Sequence, residues 1–182
     1  NGDTYDYDAT TNSTGKKVPS HSQVAIMKWY VPENIANEYD GSLDYYVIRY
    51  AEVLLSLSEA MIEKGGYSQD QITKYIDEVR QRVNMPKVED IEGKGLSQEQ
   101  LRQIVRHERR VELAFEDLRF ADLYRWSEWK NAVERMNKEF ETYGAGDYER
   151  SYRGAQDEVW PIPQNEIDTD KNLKQHKEWG GE

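Results

Sequence analysis

Apolar residues recur at steps of three and four from Tyr45 onward, so helices are expected to carry most of this chain. Over Tyr45–Lys64, Val47, Tyr50, Ala51, Val53, Leu54, Leu57, Ala60 and Met61 fall on one broad arc, with Ile48, Leu55 and Ile62 as a second stripe beside it. An arc wider than half the circumference predicts burial against more than one neighbour. Gly65-Gly66 ends this helix. Ser68-x-x-Gln71 is a capping box that opens a second helix, in which Ile72, Tyr75, Ile76, Val79 and Val83 form one narrow stripe, and Pro86 closes it. After a charged loop over 87–96, a second capping box, Ser97-x-x-Gln100, starts a third helix with Leu101, Ile104, Val105, Val111 and Phe115 on its apolar face. A fourth helical stretch starts near Phe120, bends near Ser127, and carries Trp126, Trp129, Val133, Met136 and Phe140.

The flanks have neither period. Residues 1–23 are polar and rich in Asp, Thr, Ser and Gly, and Val24 to Val31 make a short apolar run that Pro32 ends, a strand or an extended segment. Residues 141–157 are expected to form a surface loop. In Val159-Trp160-Pro161-Ile162-Pro163 each proline fixes its own φ and keeps its predecessor out of the helical region, which predicts a rigid extended strap. The fold class expected is therefore all-α: helical hairpins of the tetratricopeptide type, with irregular loops and an extended C-terminal strap. The first two helices have a tetratricopeptide unit's span of roughly 35–40 residues, without its consensus.

Composition narrows the chemistry. The net charge is −11. The arginines between Arg102 and Arg125 alternate with Glu108, Glu112, Glu116, Asp117 and Asp122, so no cationic stripe is available for phosphate backbones. There is no cysteine, which removes disulfides, zinc–thiolate centres and thiol nucleophiles. No apolar run approaches the ~20 residues of a spanning helix. The first residues lack the basic and apolar regions of a signal peptide, so the chain is intracellular or its signal has been removed.

Catalytic and metal templates fail. His107-Glu108-x-x-Val111 lacks the second His of a zinc protease helix. Asp168-x-Asp170-x-Asn172 copies the start of a calcium loop, but Leu173 stands where Gly is needed and Trp179 where Glu is needed. Asp3, Asp6 and Asp8 are better read as a solvated acidic segment than as a cation site. No phosphate-cradling glycine loop and no nucleophile elbow are present. No cofactor or metal is expected.

Glu108 and Glu112 project into the apolar face of the third helix. A catalytic dyad and a buried ion network are the two readings. The abundance of arginine favours the network, because a guanidinium fork keeps a carboxylate ionised and so unfit as a general acid. Arg49, Arg119 and Arg125 are the expected partners. Ligand chemistry is then left to aromatic residues in loops, whose rings accept the C–H faces of sugars. Trp29, Tyr30, Tyr39 and Tyr148 are the candidates, while Trp126, Trp129 and Trp160 are assigned to packing.

Four blocks of sequence carry a resemblance. Arg49-Tyr50-Ala51-Glu52-Val53-Leu54-Leu55 with Glu59-Ala60, Val79-Arg80-Gln81-Arg82-Val83-Asn84-Met85-Pro86, Arg106-His107-Glu108-Arg109-Arg110-Val111-Glu112-Leu113 through Arg125-Trp126, and Trp160-Pro161-Ile162-Pro163 through Asn172-Leu173-Lys174-Gln175 resemble, in order, blocks of the SusD/RagB family. Ser56, Ser58 and Asn84 depart from its usual Met, Tyr and Gly. The resemblance implies a non-enzymatic, lipid-anchored protein of the outer membrane at the cell surface. Such proteins bind oligosaccharide, or peptide in some members, and sit over a SusC-like TonB-dependent transporter. It also implies that residues 44–182 are a C-terminal helical portion. Residues 1–43 would be an irregular lead-in, left from an N-terminal part that is missing together with the lipid-bearing Cys. A scaffold that docks to the transporter without touching nutrient is the alternative, and a carboxylate-pair hydrolase is the third reading.

Overall fold

The computed structural model describes residues 10–11, 17–18, 28–29, 44–142 and 149–181. The chain forms two compact units, Asn1–Arg119 and Phe120–Glu182. Among the described residues the regular elements are helices, apart from a two-residue antiparallel ladder, β1 (Thr10–Thr11) with β2 (Lys17–Val18).

In the first unit, α1 (Tyr50–Lys64), α2 (Gln69–Arg82), α3 (Val88–Glu92) and α4 (Gln98–Glu112) enclose one core. Both capping boxes form as the sequence predicts, at Ser68 with Gln71 and at Ser97 with Gln100. Helix α1 packs on α2 and on α4 through Ala51, Leu54, Leu55, Met61 and Ile62, while Val47, Tyr50, Val53 and Leu57 of the expected arc are exposed. Leu55, Ile62, Ile76, Val88 and Val105 are completely buried, each contributing roughly 1.5–3 kcal/mol. Ser58 is buried where α1 meets α2, and its hydroxyl donates to the Ile72 carbonyl at 3.0 Å.

Several boundaries differ from the sequence expectation. Helix α1 begins at Tyr50 rather than Tyr45, with Arg49 in an extended conformation at its N-cap. The Tyr45 and Tyr46 rings pack on Trp29, with centroids at 5.7 and 5.4 Å, and the Tyr45 hydroxyl donates to the Glu116 carbonyl. Tyr45 and Tyr46 therefore lie outside the helix. The charged loop over 87–96 contains α3. Its start is fixed by the Val88 amide donating to Asp77 at 2.7 Å, and its exit by Gln69, which bonds the Gly93 carbonyl and the Leu96 amide. Val111 and Phe115 are exposed, and Leu113 takes the buried position. Asn84, which follows α2, has φ +57, a left-handed turn that Asn tolerates.

The second unit holds most of α5 (Leu118–Arg125), then α6 (Trp129–Thr142) and α7 (Gln164–Thr169), with 3-10 turns at Gly154–Asp157 and Lys177–Trp179. The bend expected near Ser127 is a full break at φ +55. The proline strap runs extended into α7. Gln175 clamps it by accepting from the Ile162 amide at 3.0 Å and donating to the Ile162 carbonyl at 2.8 Å.

Candidate functional site

Helix α4 carries a ladder of ion pairs. Near its start, Arg102 grips Glu63 of α1 with two hydrogen bonds, 2.6 and 2.7 Å. One turn from its end, Glu108 accepts from Nε and Nη2 of Arg80 on α2, at 2.9 and 2.5 Å, with both side chains buried. The neighbouring Arg109 is buried too and donates to Ser56 at 2.9 Å, with Glu59 at 3.9 Å.

Where α4 ends, cationic groups converge. Arg49 donates to Glu116 and to Glu112, each at 2.7 Å, and to the Glu112 carbonyl at 2.6 Å. Arg82 adds two bonds to the Glu112 carboxylate, and Lys28 pairs with Glu116. The helix's terminal carbonyls have no partner within the helix and carry the negative end of its dipole. Lys28 donates to the Glu112 and Ala114 carbonyls and the Trp29 indole N–H to that of Phe115. These bonds hold a turn in which Phe115 and Asp117 take positive φ, +62 and +60, a costly conformation that surrounding contacts must impose.

The electrostatics of Glu116 follow from this geometry. Burial alone would raise its carboxyl, but the hydrogen bonds from Arg49 and then Lys28 outweigh burial and hold it below its ordinary value of 4.5. A depressed folded-state value means stability that is complete above the ordinary value and lost as pH falls through the folded one. The urea midpoint is therefore expected to fall on acidification below about pH 4.5, and less steeply in Glu116→Gln. Equal slopes for the two proteins would contradict this assignment.

The second unit contains a groove of about 1000 Å³. Trp129, Val133 and Met136 of α6 form one wall, and Val159, Trp160 and Pro161 of the strap form another. Glu149, Arg150, Arg153 and Asp157 also line it. Phe120 meets Trp129 edge-to-face with centroids at 5.2 Å. Trp179 donates its indole N–H to the Val159 carbonyl at 2.6 Å, and the Arg153 guanidinium lies 5.5 Å from the Trp179 ring centroid. Arg153 also bonds Asp157 at 2.8 Å. The Arg153 backbone amide, then the Arg153 side chain, hold the Asp157 carboxyl below its ordinary value against the opposing effect of burial.

The residues singled out from sequence are distributed as follows. Trp29 is half-buried, its ring on Tyr45 and Tyr46 and its N–H on Phe115. Tyr30, Tyr39 and Tyr148 lie outside the described residues. Glu108 is held by Arg80 rather than by the arginines expected, because the end of α2 is what α4 lays beside it. Arg49 takes Glu112 and Glu116. Arg125 pairs with Asp122 within α5, and Arg119 is half-buried on the same helix. Trp160, assigned to packing from its place in the strap, is 82% exposed. Sequence reasoning missed Arg80, Lys28 and Glu116. A buried arginine shows no apolar period, and Lys28 lies 84 residues from the carbonyl it binds.

Comparisons with known proteins follow the same lines. The profile of the SusD family matches residues 1–179. SusD-like protein P2 of Formosa agariphila is 30% identical over 155 residues, covering 81% of this chain and 28% of that protein. The crystal structure of a SusD homolog from Bacteroides thetaiotaomicron superimposes with a TM-score of 0.60 at 29% identity, covering 75% of this chain and 27% of that one. The chain thus spans little more than a quarter of the length of these two relatives. With its all-helical scaffold and a profile match along nearly its whole length, the chain belongs to the SusD (SusD/RagB) family.

Proposed function

We propose that this chain is part of a non-catalytic protein that binds extracellular oligosaccharide and delivers it to a SusC-like TonB-dependent transporter. The whole protein would sit on the outer membrane at the cell surface through a lipid anchor. Family membership supports nutrient binding in glycan uptake. The observation that carries the non-catalytic part is the state of the clustered carboxylates. Glu112 and Glu116 share one guanidinium, and Glu116 is held ionised by Arg49 and Lys28. A glycosidase needs one carboxyl with a raised pKa to protonate the leaving oxygen, and the Glu116 carboxyl is held in the opposite direction.

Affinity electrophoresis of the purified chain through gels containing polysaccharides, with chromatography of the products, tests both halves. Retardation without release of shorter sugars is expected. Sustained release of reducing ends would overturn the reading. The scaffold alternative draws on a specific feature of α1. Tyr50, Val53 and Leu57, at steps of three and four, are exposed beside the buried stripe of α1 and suit a protein surface. Retention on immobilised transporter with no retardation in any glycan gel would favour it.

A further inference from the structure

We propose that the end of α4 is a binding site for a primary ammonium group, which the chain fills from within with Lys28. The inference stands apart from the glycan-binding reading, because it rests on contacts made inside the first unit.

A lysine ammonium has three N–H donors and no acceptor. That of Lys28 donates to the Glu112 carbonyl at 2.7 Å and to the Ala114 carbonyl at 3.0 Å, and it pairs with Oε1 of Glu116. The Glu116 side chain is only 3% exposed, so this is no surface ion pair of the kind that contributes little. The chain turns at Phe115, with φ +62, and oxygens of three residues meet at one nitrogen. Two of the three are held without Lys28. Arg49 donates from Nε to the other Glu116 oxygen at 2.7 Å and from Nη2 to the Glu112 carbonyl at 2.6 Å. The Tyr45 hydroxyl holds the Glu116 carbonyl at 3.2 Å, and the Glu116 amide donates to the Leu113 carbonyl at 3.2 Å. Oxygens fixed by other groups and aimed at one point make a preorganised cation site, and the negative end of the α4 dipole falls on it.

The geometry narrows the ligand. Calcium takes about six to eight oxygens at about 2.3–2.6 Å, whereas Lys28 meets three, the two carbonyls at 2.7 and 3.0 Å. A guanidinium is planar and presents its donors as a fork, which does not direct three N–H groups to one side. A primary ammonium carries three donors around one axis and matches three converging oxygens. A cation without N–H groups supplies charge alone. Lys28 lies 84 residues before Glu112, so only the fold brings the group to its site. Held there, it excludes free ammonium ions, and the site accepts them once the side chain is cut back.

Urea denaturation of the 182-residue chain and of Lys28→Ala, in methylammonium or tetramethylammonium chloride at equal concentration, tests this. The alanine variant is expected to have a lower midpoint. Methylammonium should raise that midpoint saturably and recover about half of the loss by about 0.5 M, as one-site binding to the folded state requires. Tetramethylammonium has the same charge and no N–H, so it should do no more for the variant than for wild type. Wild type should show no saturable rise in methylammonium, because Lys28 fills the site. Lys28→Arg should not regain the wild-type midpoint. A second measurement needs no variant. By nitrogen-15 NMR, the Lys28 ammonium protons should exchange with water at least about tenfold more slowly than those of Lys130 and Lys177, whose side chains are 61% and 86% exposed. Equal responses of Lys28→Ala to the two salts, measured against wild type, would overturn the ammonium site. So would Lys28 protons that exchange as fast as those of Lys177.

Discussion

Replacing Glu108 with Ala is expected to destabilise the first unit by about 3–5 kcal/mol, seen as a lower urea midpoint. The pair Arg80–Glu108 lies between α2 and α4, with exposures of only 7% and 6%. Deleting the carboxylate leaves a guanidinium away from water with no opposite charge, and that desolvation is the main cost. The reciprocal change, Arg80→Leu, should be of similar size. The double variant Arg80→Leu with Glu108→Leu should recover much of the loss, because apolar side chains of similar volume have no charge to desolvate. A midpoint unchanged by Glu108→Ala would show that the pair is not an element of stability. A double variant as unstable as the sum of the singles would show that the two side chains act independently.

The second large effect is expected at Arg49. Arg49→Ala removes bonds to Glu116, Glu112 and the Glu112 carbonyl at once. Glu116 then keeps Lys28 and Glu112 keeps Arg82. At roughly 1.5–3 kcal/mol for a hydrogen bond to a charged group, a loss of about 3 kcal/mol is expected in urea denaturation. Arg49→Lys retains the charge but not the fork that spans two carboxylates, so it should fall between Ala and wild type. Hydrogen exchange localises the effect: amides around Phe115 should lose protection in Arg49→Ala, because the strained turn there depends on these bonds. Unchanged protection in that stretch would contradict the role given to Arg49.

Much of the helical scaffold could be read directly. The capping boxes at Ser68 and Ser97 and the glycine stop after Lys64 are local signals, and the structure has each of them, while the bend expected near Ser127 is a break. The demand of Glu108 and Glu112 for arginine was also legible, since a carboxylate on an apolar helical face requires a cation. The start of α1 and the existence of α3 were not, because both depend on distant partners. Tyr45 lies outside α1 and bonds Glu116, 71 residues away, and Val88 starts α3 on a bond to Asp77. The candidate groove was not legible either. Trp129 shares helical spacing with core residues and Trp160 sits in the strap, and neither spacing nor a proline neighbour tells a ring facing its own core from one facing water.

By itself, then, the sequence determined the end of α1 and the starts of α2 and α4, that arginines must neutralise the acids of α4, and the family blocks in their order. Tertiary structure alone decided which arginine meets which acid. Arg80 takes Glu108 and Arg49 takes Glu112 and Glu116, and only the strap's trajectory leaves Trp160 open to water. The reason is one of range. Periodicity and capping act within one helical turn and are written in consecutive residues. Charge pairing and exposure depend on which faces the packed helices bring within a few ångströms, and side chains as long as arginine can answer to several alternatives until packing selects one.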